Sequence, residues 1–281
     1  MVDTARATSG RTGGRITRRE SMMVLLGSRI RSQTAYRTSF WLTVATSVGV
    51  GLLEFIEIYV ILTNVPVFGG LDFAQAALVF ALANMGFSFA DMIFGQFDAM
   101  PSHLRLGRLE VMLVRPLPLI VQLVTGDFQL RRLGRVAVGL VIMVIALRHL
   151  DLALTPAVVY LLIITPLVGG AIYGAFFVMA GGVQFFVIDG AEFTSAFVYG
   201  GSYAGQLPGS VLIEPIRILF TFVFPATAAA YLPSLIILGL PGPAFLPAWL
   251  GWFAPLFAVW VWVLALLAWR AGIRRFTGAG G

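Results

Sequence analysis

Long apolar stretches alternate along this chain with segments whose arginines are distributed very unequally. The chain has 19 basic residues, all of them arginine, since it contains no lysine. Threading six apolar stretches back and forth through a bilayer places eighteen arginines on one side or at its boundary, and only Arg148 on the other. Because cytoplasmic loops collect basic residues, this bias predicts a membrane protein with both termini in the cytoplasm.

The predicted fold is an all-α integral membrane protein with six spans, since about 20 apolar residues cross the hydrocarbon as a helix. The predicted spans are residues 39–61, 74–95, 133–150, 157–181, 216–238 and 248–269. Pro166 in the fourth span, and Pro225 and Pro233 in the fifth, predict kinks or breaks. The short third span is framed by Arg135 and Arg148, whose side chains are expected to extend to the two interfaces.

The connecting segments follow from this threading. Residues 62–73 and 239–247 are short, contain no arginine and are predicted to be outer loops. Residues 96–132 and 182–215 are longer and are predicted to be inner segments. The spans and these segments form one domain over residues 16–276, flanked by a disordered cytoplasmic tail at 1–15 and a short tail at 277–281.

An amphipathic helix is predicted just before the first span. Residues 17–20 have the spacing of a capping box. Met22, Met23, Leu26 and Ile30 follow at helical spacing among arginines, which is typical of a helix lying in the inner leaflet. The alternative is a soluble helix packed on another chain.

Composition excludes several classes of site. The formal net charge of +6 is assigned to membrane lipid headgroups rather than to nucleic acid, because the arginines flank apolar spans. The absence of cysteine excludes disulfides, thiolate metal sites and a cysteine nucleophile. A P-loop needs a lysine, so the chain has no ordinary nucleotide-hydrolysing site, and no cofactor is predicted within it.

The segment after the second span has the most specific pattern. A helix over residues 103–115 places Leu106, Leu109 and Leu113 on one face. A second face carries arginines, and Pro116 ends the helix. These arginines are Arg105, Arg108 and Arg115. A short basic helix of this kind is suited to docking in a groove of a partner, and the alternative is a solvated or headgroup-bound loop.

Three carboxylates lie within predicted spans. Glu54 and Glu57 are three residues apart on one face of the first span, and Asp91 lies near the inner end of the second. Intramembrane carboxylates usually face a bundle interior or an aqueous cavity, so they are candidates for a translocation path. Alternatively, Glu57 reaches the outer headgroups, Glu54 is protonated or bonded to a neighbouring helix, and Asp91 is an interface residue.

Several motifs carry a family resemblance. The inner segment contains Arg-Leu-Gly-Arg-Leu-Glu from Arg105 and Leu-Val-Arg-Pro-Leu-Pro from Leu113, and Arg-Leu-Gly-Arg recurs from Arg132. A later stretch beginning at Ala191 leads to Phe224-Pro225. With six spans and an amphipathic first helix, residues 17–276 resemble bacterial ABC exporter permeases of the second type.

The resemblance implies a half-transporter in the bacterial inner membrane. Its partners would be a second permease, identical or paralogous, and cytoplasmic ABC ATPases that bind ATP and magnesium. The family's coupling helix corresponds to residues 103–115, and a second ATPase contact to residues 188–214. Its fifth span tends to break into re-entrant helices, which is consistent with Phe224-Pro225 and adds Pro225 to the path candidates.

Two other functions remain open from the residues alone. One is a secondary transporter coupled to protons through Glu54, Glu57 or Asp91, although no inverted repeat is found. The other is a non-transporting membrane assembly protein, for which the segment 96–132 would also be suited.

Overall fold

A computed structural model describes residues 27–28, 30–64, 67–187, 191–243 and 246–276. Within these ranges the chain is helical, with no β structure beyond a bridge between Phe68 and Leu71. The all-α prediction is therefore confirmed for the described residues. The predicted tails, the capping box and Met22, Met23 and Leu26 of the predicted amphipathic helix lie outside them.

The helices of the described part are numbered here in chain order. They are α1 (Arg37–Asn64), α2 (Phe73–Phe94), α3 (Met100–Arg105), α4 (Arg108–Leu113), α5 (Leu119–Gly126), α6 (Leu133–His149), α7 (Pro156–Val183), α8 (Ala191–Gln206), α9 (Glu214–Ile218), α10 (Ala226–Ala229), α11 (Tyr231–Ile237) and α12 (Ala254–Arg275). A π-helical turn, Leu219–Val223, continues α9, and a 3-10 turn, Ala248–Phe253, precedes α12.

Four helical stretches are long and apolar enough to cross a membrane. They are Arg37–Ile61, Phe73–Arg105, Pro156–Val183 and Ala248–Arg275, and they match the first, second, fourth and sixth predicted spans. The third predicted span corresponds to α6, which has 17 residues. Pro166 lies inside the continuous helix α7, so no break occurs there.

The helices α2 and α7 form the centre of the bundle. The side chains of Asp72 and Gln75 form a capping box that begins α2, and Thr155 caps α7. At the crossing, a Cβ atom on Gly86 would lie 3.2 Å from the backbone of Gly169, so the two backbones approach closely because neither residue has a side chain. The helices α6, α8 and α12 pack around this pair.

The fifth predicted span is wrong, and so is the assignment of residues 182–215 to one inner segment. The chain has an arginine-rich end, which carries residues 95–132, and a far end, which carries residues 67–72. Tyr199 of α8 donates a hydrogen bond to Asp98 near the arginine-rich end. Ser210, just beyond α8, donates one to the carbonyl of Gly69 at the far end. The helix α8 therefore runs between the two ends.

Residues 213–237 form a hairpin rather than one long helix, with a largely exposed first arm and a buried second arm. From the far end the chain descends beside α8 until Phe224, whose ring centroid lies 4.8 Å from that of Phe197. It turns at Pro225 and returns through α10, and Tyr231, the first residue of α11, lies against Gly209. The predicted break at Phe224-Pro225 is thus present, because proline cannot continue the preceding helical turn.

The hairpin also changes the count of arginines at the two ends. Arg217 lies in α9, shortly after the far-end residue Ser210, and interacts electrostatically with Tyr231. It joins Arg148 at the far end, whereas the threading had placed it at the inner boundary. The excess of arginine at the opposite end remains large.

Candidate functional site

The segment predicted as one coupling helix consists of two short helices. Leu106 ends α3, and Gly107 follows with φ of +63°, a left-handed conformation that glycine adopts without strain, before α4 begins at Arg108. The predicted continuous helix over 103–115 is therefore wrong. The break turns the chain so that α3 and α4 present different faces from those of a single helix.

The break separates the three leucines that were predicted to share a docking face. Leu109 is fully buried, with 0% exposure, in the protein's own core, which also includes Leu104 and Leu123. Leu106 and Leu113 are exposed instead. An anchor for a partner must be accessible, so Leu109 cannot have that role in this structure.

An exposed apolar surface with a basic rim remains around the break. We call it the docking tip. Its apolar members are Leu106, Val111, Leu113 and Val114, and its exposed arginines are Arg105, Arg108 and Arg115, followed by the exposed Pro116. Apolar residues within a charged rim are typical of protein interaction surfaces.

A buried glutamine bonds the docking tip to α5, in addition to the apolar packing of Leu109. The Nε2 of Gln122 donates to the carbonyl of Met112 at 2.7 Å and to that of Leu117 at 2.8 Å. The carbonyl of Met112 also accepts from the backbone N–H of Arg115 at 3.2 Å, so the amide of Gln122 adds a second donor at the end of α4. Sequence reasoning missed Gln122, although a single amide within the apolar run Leu119–Val124 was a usable signal.

Glu54 lies in a polar cluster between three helices, which we call the Glu54 cluster. Its carboxylate forms an ion pair with Arg135 of α6 and accepts a hydrogen bond from Asn84 of α2 at 2.9 Å. The guanidinium of Arg135 also lies 5.5 Å from the ring centroid of Phe87. Arg135 is buried, so the expectation that its side chain extends to the interface is wrong.

Asp91 has a similar partner closer to the arginine-rich end. Its carboxylate lies 2.7 Å from the Nε atom of Arg132, and the aspartate is fully buried. Arg132 and Arg135 are one helical turn apart, so the start of α6 presents two cations to carboxylates of α2 and α1. The sequence indicated the carboxylates but not these partners, because the pairing depends on how the helices pack.

The remaining path candidates lie apart from these ion pairs. Glu57 is exposed on α1, and Tyr203 of α8, also partly exposed, interacts electrostatically with Glu54 and Glu57. Pro225 forms the turn of the hairpin. The structure thus brings Glu54 and Glu57 towards α8, while Asp91 lies nearer the arginine-rich end and Pro225 lies beside α10.

No curated protein and no solved structure matches the chain. A family model does, described as ABC-2 family transporter protein, and it matches residues 48–280. That range contains the docking tip, the Glu54 cluster and all helices from α2 to α12. The match covers most of the 281 residues, and it confirms the resemblance seen in the sequence motifs. The chain belongs to the ABC-2 family of transporter proteins, as a membrane permease of an ABC-type system.

Proposed function

We propose that this permease is the membrane subunit of an ATP-driven exporter in a bacterial inner membrane. It forms a translocation path with a second permease, and cytoplasmic ABC ATPases that bind ATP and magnesium drive it. Membership of the ABC-2 family supports the general arrangement. The observation that carries the proposal is the docking tip, an apolar surface with a basic rim at the arginine-rich end.

The proposed topology has six crossings, formed by α1, α2, α6, α7, α8 and α12, with the arginine-rich end in the cytoplasm. The 16 residues of α8 measure about 24 Å, somewhat less than the roughly 30 Å of a bilayer core. Local thinning of the bilayer accommodates such a difference at modest cost. The hairpin at 213–237 then enters from the outer side and returns to it.

The proposed path lies on the face formed by α1 and α8. Glu57 and Tyr203 are exposed there, within reach of the Glu54 cluster. A polar group exposed on a membrane helix is unfavourable against lipid, so a second permease or an aqueous path is the better neighbour. Glu54 and Asp91 each have an arginine partner, which supports a structural use of these charges over proton-coupled transport.

The docking proposal is tested with a matched pair of substitutions. Leu106 and Leu154 are similarly exposed, at 62% and 65%, but Leu154 lies at the far end. Losing a docked apolar anchor typically costs about 2 kcal/mol or more, which is a tenfold or greater loss of affinity. We expect Leu106→Asp to lower co-purification of the ATPase by that factor and Leu154→Asp to leave it unchanged.

The measurement is the ratio of ATPase to permease after affinity purification from membranes, with equal insertion checked first. Leu109→Asp serves as a third variant, since it places a carboxylate in the core and is expected to reduce the amount of folded permease. Equal ATPase recovery with Leu106→Asp and Leu154→Asp would show that the docking tip does not bind the ATPase.

A further inference from the structure

We propose that Gln33 and Gln122 are positioning residues which transmit movement of the docking tip to α1. The inference rests on the proposed function, since it needs an ATPase acting on the tip. The side-chain amide of Gln33 bonds a segment about 95 residues away in sequence, and that of Gln122 bonds both sides of the turn after α4. Together they connect the tip to the first membrane helix through α5.

The first connection joins the tip to α5. The two carbonyls bonded by Gln122 belong to Met112, inside α4, and Leu117, beyond Pro116. One side chain therefore holds both sides of the turn that carries Val114 and Arg115. Since Gln122 is buried and donates to both carbonyls, a displacement of α4 pulls on α5 rather than being absorbed by the turn.

The second connection joins the residues after α5 to the segment before α1. The Nε2 of Gln33 donates to the carbonyl of Phe128, and its Oε1 accepts from the amide of Leu130 at 3.2 Å. Both halves of the amide are used, so the side chain fixes position and orientation together. Residues 30–35 are helical and lead into α1, so a movement at Phe128 reaches α1 at its first turns.

Residues 127–135 are themselves held firmly between α2 and α1. The backbone N–H of Gln129 donates to the backbone carbonyl of Met92 at 3.0 Å. Arg132 pairs with Asp91, and Arg135 pairs with Glu54. This segment is therefore joined to α1 at two points: Gln33 near the arginine-rich end, where the movement is transmitted, and Glu54 about halfway along the helix, which serves as the pivot.

Beyond Glu54, α1 has space in which to move. Only 17% of its apolar stretch is buried, and a cleft of about 600 Å³ opens beside its far half, between α1, α2 and α6, where Phe55 and Tyr59 keep ring contacts with Phe73 of α2. The cleft is lined by Phe55, Tyr59, Phe73, Ile142, Ile145 and His149, among others. A shift imposed through Gln33 would tilt α1 about the Glu54 cluster and change the width of this cleft.

Distances between pairs of spin labels test the inference on the assembled complex of permease and ATPase in lipid nanodiscs. The chain has no cysteine, so labels are introduced directly. A pair at positions 102 and 187 reports movement of the α3–α4 region, and a pair at positions 56 and 159 reports the far half of α1. All four positions are exposed. Distances are compared without nucleotide and with ATP, magnesium and vanadate.

We expect both distances to change with nucleotide in the otherwise unaltered protein. Gln33→Leu and Gln122→Leu should keep the change at 102–187 and lose the change at 56–159, while ATP hydrolysis continues and transport stops. Gln129→Leu is the matched control, since that side chain bonds the exposed Arg131, and it should behave as the unaltered protein. Gln33→Glu keeps the acceptor and loses the donor, so an intermediate change is expected.

Two failures are distinguishable. If the ATPase does not bind, or if 102–187 never responds to nucleotide, the proposed function is wrong. If 102–187 responds and 56–159 still moves fully in both leucine variants, the transmission through these glutamines is wrong. Should Gln122→Leu not fold, Gln122→Glu and Gln33→Glu decide the question by the same two distances.

Discussion

The first two helices have similar apolar character but very different surroundings. In α2, 83% of the apolar stretch is buried, whereas in α1 the value is 17%. The buried face of α2 contains Asn84, Ser88 and Asp91. In lipid, apolar side chains gain little by leaving the solvent, so small and polar residues decide which helix is central.

The same rule explains the one face of α1 that does contact the bundle. Ser47, Gly51 and Ile58 are buried there, and Glu54 lies between them along the helix. The opposite face is apolar and exposed. The comparison therefore predicts that α2 depends on its polar and small contacts for folding, while α1 depends on one ion pair and on a neighbour outside the chain.

The largest expected effect is at the link between the two helices. Arg135→Leu leaves the carboxylate of Glu54 without its cation, and removing one partner of a buried pair typically costs about 3–5 kcal/mol. Adding Glu54→Gln should recover much of this loss, because no charge is then left unpaired. Thermal unfolding in detergent, followed by tryptophan fluorescence, measures both variants. Equal losses in the single and double variants would show that the pair does not hold α1.

A smaller effect is expected from adding volume to each helix. Gly86→Leu inserts a side chain where a Cβ already meets the backbone of Gly169, and overpacking costs about 1–3 kcal/mol. Gly49→Leu on α1 meets open space and should leave the unfolding midpoint nearly unchanged. The fraction of each variant that stays monodisperse after mild heating, measured by size-exclusion chromatography, compares the two. Similar damage from both would contradict the difference in packing.

The smallest effect is expected on the exposed face of α1. Leu53→Ala should change the free energy of unfolding of one chain by at most about 0.5 kcal/mol, the usual range for exposed sites. If a second permease covers this face, single cysteines at positions 53, 56 and 60 should crosslink between copies, or to a paralogue, while position 51 should not. If none of the four positions crosslinks, the exposed face of α1 contacts lipid and not a second permease.

Most of the long helices could be predicted from the sequence. Long apolar runs indicate segments that lie in the hydrocarbon, and clustered arginines indicate the segments that lie in water on one side. The prediction failed at the fifth span. Residues 216–238 are the more apolar stretch, but only the returning arm of the hairpin, residues 226–235, is surrounded by protein, whereas Ile218, Phe222 and other apolar residues of the descending arm are exposed. The helix α8 contains Glu192, Gly200 and Ser202, which lower its hydropathy although it runs the length of the bundle.

The candidate site was predicted in outline only. The position of the docking segment and its arginines could be read from the motif, and Pro116 marked its end. The burial of Leu109 could not, because it depends on the left-handed turn at Gly107 and on the packing of α4 against α5. Gln33 gave no local signal, since its partners are about 95 residues away.

The hairpin at 213–237 has a consequence for electrical insulation. Residues 226–235 are almost completely buried, and they fill the space beside the middle of α7. Moving one elementary charge across a membrane potential of 100 mV is worth about 2.3 kcal/mol. A membrane potential therefore drives ions through any water-filled gap in a membrane protein. On the path proposed above, along the face of α1 and α8, cargo would pass outside this filling, and the spacing between the two proposed permeases, rather than a bore within either, would set the size of what they carry.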